Sequence, residues 1–386
     1  MSIPARTIGV VGGGQLARMM QAAAIALGVR LRLLAEGPDV SAAQVVHDVT
    51  VGDYTDAEVV SDFAAGCDAL TFDHEHVPGT ILRCIAASGV AVRPGPEALV
   101  HAQDKAVMRA RLAELGVPCP RHRIVADPAA LIAAGDDFGW PLIAKTSRGG
   151  YDGKGVWKLD GPDEARLPFE GLTGLSRDAV VIAEEFIDFT RELSVLIARR
   201  PGGQAVAYPV SETVQTNGIC TATVTPAPGL RADQVRDLQA MAQRIARELD
   251  VVGILAVELM QARDGRIVVN ELAMRPHNTG HWSIDGAVTS QFENHLRAVA
   301  DLPLGSTAVT APVVVMVNVL GGSRADLIAA EADAMAADPA VKVHLYGKTV
   351  VSGRKVGHVT ACGPDVEQTA ARAWRAARIL MGETND

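Results

Sequence analysis

The sequence predicts an α/β protein built from more than one domain, and three observations carry that reading. Over residues 7–96, apolar strands alternate with helix-length segments, the pattern of βαβ units on a parallel sheet. After the break at "VPCPRH", consecutive strands joined by short turns take over, which implies antiparallel sheet. The length of 386 residues is too great for a single core.

In chain order, "TIGVVG" reads as a strand and "GQLARMMQAAAIALG" as a helix. "VRLRLLAE" and "DALTFD" are strands, "GTILRCIAASG" a helix and "VAVRPG" extended chain. "PEALVHAQDKAVMRARLAELG" reads as one helix. Next, "WPLIAKTS" and "GKGVWKLD" flank a glycine-rich loop, and "AVVIAEEFI" and "RELSVLIARR" are strands. "VGILAVELM" and "GRIVVNELAM" form a hairpin. From about residue 310, "PVVVMVNVLGG", a helix and "VKVHLYGKTVVSGRKVGHVTA" make a last, β-rich segment. There are no internal repeats.

Composition narrows the function. A hydrophobic fraction of 48% with 21% charged residues is that of a globular protein. The net charge of -9 argues against a general affinity for nucleic acid or acidic membranes, while leaving room for a local basic pocket. Five scattered cysteines (Cys67, Cys84, Cys119, Cys220, Cys362) without C-x-x-C suggest neither a metal nor a disulfide framework. "MSIPARTIGVV" lacks the apolar region of a secretory signal, and the longest apolar stretch is far short of a membrane span. A cytoplasmic protein is expected.

Gly12-Gly13-Gly14 with Ala17 gives G-x-G-x-x-A between a strand and a helix, the fingerprint of a dinucleotide site. Glu36 falls near the place of a ribose-binding acid. The alternative is that the glycines only let the helix pack close to the strand.

"PLIAKTSRGGYDGKG" places Lys145 at a strand end before Gly149, Gly150, Gly153 and Gly155. Such a loop can approach phosphates through backbone N–H groups, with Lys145 and Lys154 adding charge. It is not a Walker loop, and a plain glycine-rich hairpin is the competing reading. In the hairpin, Asp264-Gly265 suggests a two-residue turn, which puts Glu258 opposite Glu271. Opposed carboxylates repel unless one is protonated or a cation lies between them. Both interrupt apolar strands, which favours Mg²⁺ over two solvent-facing side chains. "VVIAEEFI" could offer Glu184 and backbone groups to an adenine edge, while Glu192 beyond it could reach ribose hydroxyls, or both could be surface carboxylates.

Together these stretches resemble the ATP-grasp superfamily, and within it the N5-carboxyaminoimidazole ribonucleotide synthetase family of purine biosynthesis. The resemblance runs from "GVVGGGQLARMM" through "QDK", "AKTSRGGYDGKG", "EEFI", "NELAMRPHNTGHW" and "HLYGK" to "GRKVGH". It implies a Rossmann-like pre-ATP-grasp domain (1–100), an ATP-grasp domain (101–309) with a lid at about 120–190, and a small β-rich C-terminal domain (310–386). The glycine turn, with Gly14, Gln15 and Leu16, would then help form a substrate cleft rather than bind NAD.

The same resemblance implies that Lys105 and Lys145 contact ATP phosphates. Ser147, Gly149, Gly150, Tyr151, Asp152, Gly153 and Lys154 would close over them. Glu184, Glu185, Phe186 and Ile187 would hold adenine, Glu192 the ribose, and Gln215 and Asn270 would lie near the nucleotide. Glu258 and Glu271 would hold Mg²⁺, with Mn²⁺ as a substitute. Aminoimidazole ribonucleotide would meet Glu75, Tyr151, Asp152, Arg275, His277, Asn278, Lys348, Arg354 and Lys355. Among these, Arg275 would stabilise a bicarbonate-derived oxyanion and His277 would act in acid–base chemistry. Lys348 is also placed in the catalytic group.

The implied reaction is ATP- and bicarbonate-dependent carboxylation through carboxyphosphate, in a homodimer. Formate-dependent glycinamide ribonucleotide formyltransferase is the nearest alternative; an NAD dehydrogenase and a non-catalytic nucleotide-binding protein are remoter ones. Three stretches depart from the family pattern: "FDHEHVP" carries His74 and His76, "VSETVQ" puts Gln215 where a histidine is expected, and Met274 replaces a common proline.

Overall fold

The computed structural model describes residues 6–149, 154–172, 178–216 and 218–383. Its architecture is α/β, with three sheets.

The first sheet is wholly parallel. β1 (Thr7–Val11), β2 (Arg30–Ala35), β3 (Asp48–Val51), β4 (Ala69–Phe72) and β5 (Ala91–Val92) take the order β3-β2-β1-β4-β5. The helix Gln15–Leu27 buries Leu16, Ala17, Met19 and Met20 against this sheet. β3 and the helix Ala57–Ala64 were not apparent in the sequence. β3 is a four-residue edge strand without a buried side chain, so it shows no apolar alternation. The single helix expected over "PEALVHAQDKAVMRARLAELG" is two, Pro96–Gln103 and Lys105–Glu114. Asp104 breaks it by taking an extended backbone (φ −136°), from which its side chain caps Ala106 N and Val107 N.

A small antiparallel sheet follows: β6 (His122–Val125), β7 (Leu142–Thr146), β8 (Val156–Leu159) and β9 (Val181–Glu185), ordered β6-β9-β7-β8. It has its own core around Leu131, Leu142, Ala144 and Val181.

The third sheet has nine strands: β10 (Phe189–Arg199), β11 (Ala205–Ala207), β12 (Ser211–Thr216), β13 (Ile219–Thr225), β14 (Gly253–Ala262), β15 (Ile267–Ala273), β16 (Val313–Leu320), β17 (Lys342–Leu345) and β18 (Lys355–Gly363). Its main path is β15-β14-β10-β12-β13-β16-β18-β17, with β11 on β10. The C-terminal strands thus extend the same sheet through the β13–β16 pairing. They are backed by the helices Leu327–Ala337 and Val366–Met381, the second of which has no counterpart among the expected elements.

The β14–β15 hairpin corrects one expectation. Its loop has three residues, not two: Ala262 N donates to Arg266 O (2.8 Å), Gly265 N to Ala262 O (2.9 Å), and Gly265 sits at φ +91°. That offset places Leu259 opposite Val269. A bulge at Asn270 then restores the register, so Glu258 does face Glu271. Two single-residue offsets cancel.

Candidate active site

The main cleft, about 1330 Å³ including its open mouth, lies where the lid sheet, the nine-stranded sheet and the start of helix Lys105–Glu114 meet. It gathers most of the expected nucleotide residues: Lys105, Lys145, Glu184, Glu185, Phe186, Ile187, Glu192, Gln215, Asn270 and Glu271. Arg275, His277, Asn278, Lys355 and Glu258 open onto the same space. Gly150, Tyr151, Asp152 and Gly153 lie outside the described residues. Lys154 is exposed beyond them.

At the lid end, Ile143, Val156, Phe186, Phe189 and Met260 make an apolar wall beside Lys145. The "EEFI" carboxylates do not point freely at this wall. Glu184, 2% exposed, accepts from Arg109 Nε (2.6 Å) and from Lys145 Nζ (2.8 Å). Burial alone would raise its carboxyl, but Lys145 and Arg109 together hold it at about 2. Glu185 is turned to Arg121, whose Nε is 3.2 Å away. The Glu184 carboxylate is thus committed to two cations. Ser147 is likewise buried. Its Oγ accepts Val180 N (3.1 Å) and its carbonyl accepts Lys105 N (2.8 Å), tying the lid loop to the helix.

At the floor of the cleft, Glu192, Glu258 and Glu271 come together. Glu258 is pushed up to about 8, first by burial and then by Glu271 and Glu192. Glu192 is pushed up to about 7 by burial. His277 Nε2 is 3.1 Å from Glu258 Oε1, and Lys105 Nζ is 3.7 Å from Glu271 Oε1. Burial, aided by Arg275 and Lys355, holds His277 well below its ordinary range, so it is neutral. Among the described residues, no group of three or more His, Cys, Asp or Glu side chains could hold an ion by itself. A pair of glutamates completed by phosphate oxygens fits the way Mg²⁺ is bound, and the raised carboxyl of Glu258 shows what a cation would relieve.

Beyond the floor, Arg275 Nε is held by Glu75 Oε2 (2.8 Å), while Glu75 Oε1 accepts Met274 N (3.1 Å). Asn278 forms a reciprocal amide pair with Asn318, at 2.9 and 2.7 Å. Gln291 clamps the His277 backbone from both sides, at 2.8 and 2.7 Å.

A second cavity of about 740 Å³ carries Gly13, Gly14, Glu36, Asp73, Lys348 and Arg354. The expected cationic trio is therefore divided, with Lys348 and Arg354 here and Lys355 in the main cleft. Lys348 Nζ donates to Gln15 Oε1. The Leu16 side chain, by contrast, packs into the core with Ile8 and Leu31 because it lies on the sheet-facing side of its helix.

In the glycine turn, three of the N–H groups a bound anion would use are taken by the chain's own carboxylates. Gly14 N and Ala17 N donate to Asp73 (3.1 and 2.8 Å), and Gly13 N donates to Glu36 Oε2 (3.0 Å). Glu36 is thus not poised as a ribose acid. His74 lies 3.3 Å from it, does most to hold it at about 2, and leans on Tyr54 and His76.

Four contributors went unnoticed in the sequence: Arg109, Asp73, Gln291 and Asn318. All act through partners distant in sequence, and none carries a local motif.

Residues 5–103 match the ribonucleotide synthetase preATP-grasp domain, 110–292 the ATP-grasp domain and 314–372 the phosphoribosylaminoimidazole carboxylase C-terminal domain. The N5-carboxyaminoimidazole ribonucleotide synthase of Mycobacterium bovis is 49% identical over 382 residues, spanning 98% of this chain and 89% of that one. The chain belongs to the N5-carboxyaminoimidazole ribonucleotide synthase family.

Solved members of this family superpose over nearly their whole length. The Aspergillus clavatus synthase complexed with ATP gives a TM-score of 0.89 at 30% identity, covering 97% of this chain and 98% of that one. The same fungal synthase in complex with ADP and 5-aminoimidazole ribonucleotide gives 0.88 at 29% identity, with the same coverage. The chain is an ATP-grasp ligase of this family, with the three-part α/β architecture its motifs imply.

Proposed function

We propose that this chain uses ATP and bicarbonate to carboxylate the exocyclic amine of 5-aminoimidazole ribonucleotide, giving N5-carboxyaminoimidazole ribonucleotide, ADP and phosphate in purine biosynthesis. The observation that carries the reading is a single cleft uniting Lys105, Lys145, the facing Glu258 and Glu271, and the Arg275–His277 segment. The relatives named for this activity, solved with ATP and with ADP plus the ribonucleotide, support it.

Lys145 and Lys105 bind and orient the ATP phosphates, while the apolar lid wall takes the base beside the Phe186 and Ile187 backbone. A divalent ion on Glu258 and Glu271 supplies charge neutralisation for phosphoryl transfer when bound. A bicarbonate oxygen attacks the γ-phosphorus and the bond to the bridging oxygen of ADP breaks, forming carboxyphosphate. The substrate amine then forms its C–N bond as the C–O bond to phosphate breaks, and the amine gives up a proton. Arg275, fixed by Glu75, stabilises the oxyanion; neutral His277 is placed to take that proton. Lys348 and Arg354 anchor the substrate phosphate. The lid excludes water from the hydrolysable intermediate.

A homodimeric, cytoplasmic enzyme is part of the same reading. Among the described residues no helix is long and apolar enough to cross a membrane.

The test is ADP release from ATP, Mg²⁺ and 5-aminoimidazole ribonucleotide, with bicarbonate supplied or stripped, alongside formate with glycinamide ribonucleotide. Release requiring both bicarbonate and the imidazole, with N5-carboxylated product by mass spectrometry, is expected. Turnover with formate alone would move the chain to formyl transfer.

A further inference from the structure

We propose that Arg109, which does not line the cleft, is the positioning residue that leaves Lys145 an uncompensated cation for the ATP phosphates. The inference rests on the reading of the cleft as an ATP site and adds a residue that this reading does not include.

Glu184 is a single carboxylate shared by two cations. Arg109 Nε approaches it to 2.6 Å and Lys145 Nζ to 2.8 Å, with all three side chains at least nine-tenths buried. The cluster of Arg109, Glu184 and Lys145 therefore carries one net positive charge. Its two cations are not equivalent. Arg109 is 1% exposed and spends its other nitrogens on the Val269 and Asn270 carbonyls, at 3.1 and 2.8 Å. Lys145 lines the cleft, and its remaining partner is the neutral Asn270 Oδ1 at 3.1 Å, which orients the ammonium without neutralising it. The surplus charge can meet a ligand only at Lys145.

Without Arg109, Glu184 and Lys145 become a desolvated one-to-one pair. A buried carboxylate deprived of one partner holds the other more tightly. Lys145 would then be spent on Glu184 and lost to the phosphates. The planar fork of Arg109 suits this task because it fixes one carboxylate and two carbonyls at once. The carbonyls it holds flank the bulge at Asn270 that sets Glu271 opposite Glu258. Arg109 therefore has both an electrostatic and a mechanical duty, which charge removal can separate.

The experiment measures ADP affinity by calorimetry for the full chain, Arg109→Met, Glu184→Gln and the double variant, with melting temperatures recorded for each. Arg109→Met should bind ADP about tenfold more weakly, equivalent to about 1.4 kcal/mol. Adding Glu184→Gln should recover most of that loss, because it frees Lys145 again, even where melting temperature stays low. If Arg109→Met does not fold, the double variant alone decides, with near-normal ADP affinity expected. A double variant as weak as Arg109→Met, or a single variant with unchanged affinity, would overturn the proposal and leave Arg109 purely structural. Absence of ADP binding by the unaltered chain would instead overturn the reading of the cleft.

Discussion

Asp73 receives the backbone N–H of Ala17 at 2.8 Å, so the chain's own carboxylate satisfies one of the free N–H groups that open the helix after the glycine turn. Gly14 N shares the same carboxylate, and a Cβ at Gly14 would lie 2.2 Å from Asp73 Oδ2. The glycines are thus required for close approach, but of an aspartate rather than a cofactor. NADH fluorescence should show no saturable change on titration with the protein. Asp73→Ala should cost about 1–3 kcal/mol in denaturant unfolding, because buried N–H groups lose their acceptor.

Glu75 comes from the N-terminal sheet's loops, yet both its oxygens hold the segment that follows β15, at Met274 N and Arg275 Nε. Glu75→Ala should therefore let Arg275 drift from the reacting carboxyl group. Misplacement by an ångström costs on the order of a hundredfold in rate. We expect kcat to fall by about that factor in steady-state assays, with KM for ATP unchanged, since Lys145 and the lid wall make no contact with Glu75. A KM change for ATP of the same size would show that Glu75 acts elsewhere.

The division into parallel and antiparallel regions could be read from the chain because it lies in local periodicity, and Glu258 and Glu271 stood out because each interrupts an apolar strand. What stayed hidden depends on distant partners. Arg109 sits in "KAVMRARLAE" like any solvent-facing cation, and only the convergence of Glu184, Val269 and Asn270 buries it. The break at Asp104 hides for a related reason: the flanking residues keep helical spacing, and the chain bends so that Lys105 N can reach Ser147 O. The three-residue loop and the bulge at Asn270 offset each other, so a mistaken turn still led to the right pair.

His295 supplies a pH dependence of known sign. Its Nδ1 accepts Ile254 N at 3.1 Å, which leaves Nε2–H for Thr71 Oγ1 at 2.8 Å, and burial holds the ring at about 3. An unfolded histidine titrates near 6.5, so between these values the unfolded chain binds a proton that the folded chain refuses. Stability is fully present above about pH 6.5 and falls by about 1.4 kcal/mol per unit as pH drops below it. His277, His281 and His358, all held well below their ordinary range, add in the same direction. Unfolding free energies from urea titration at pH 7.5 and 5.5 should differ, and His295→Gln should shrink that difference by about 1.4 kcal/mol.

The glutamate pair should reveal cation binding through pH as well. Glu258 titrates at about 8 in the folded chain because burial, Glu271 and Glu192 all oppose its charge. Its folded value lies above its unfolded one, so without a ligand its contribution to stability is present at low pH and is lost as pH rises toward 8. A metal ion competes with that proton. Apparent Mg²⁺ affinity in the presence of ADP should therefore rise from pH 6 to about 8 and then level off. Glu258→Gln should abolish this pH dependence and leave the ligand-free chain no less stable at pH 8. Loss of a partner to a metal ligand costs 10–100-fold, so removing a ligand itself should lower kcat by at least about a hundredfold. Mg²⁺ affinity that is flat across this range in the unaltered chain would mean that Glu258 does not hold the ion.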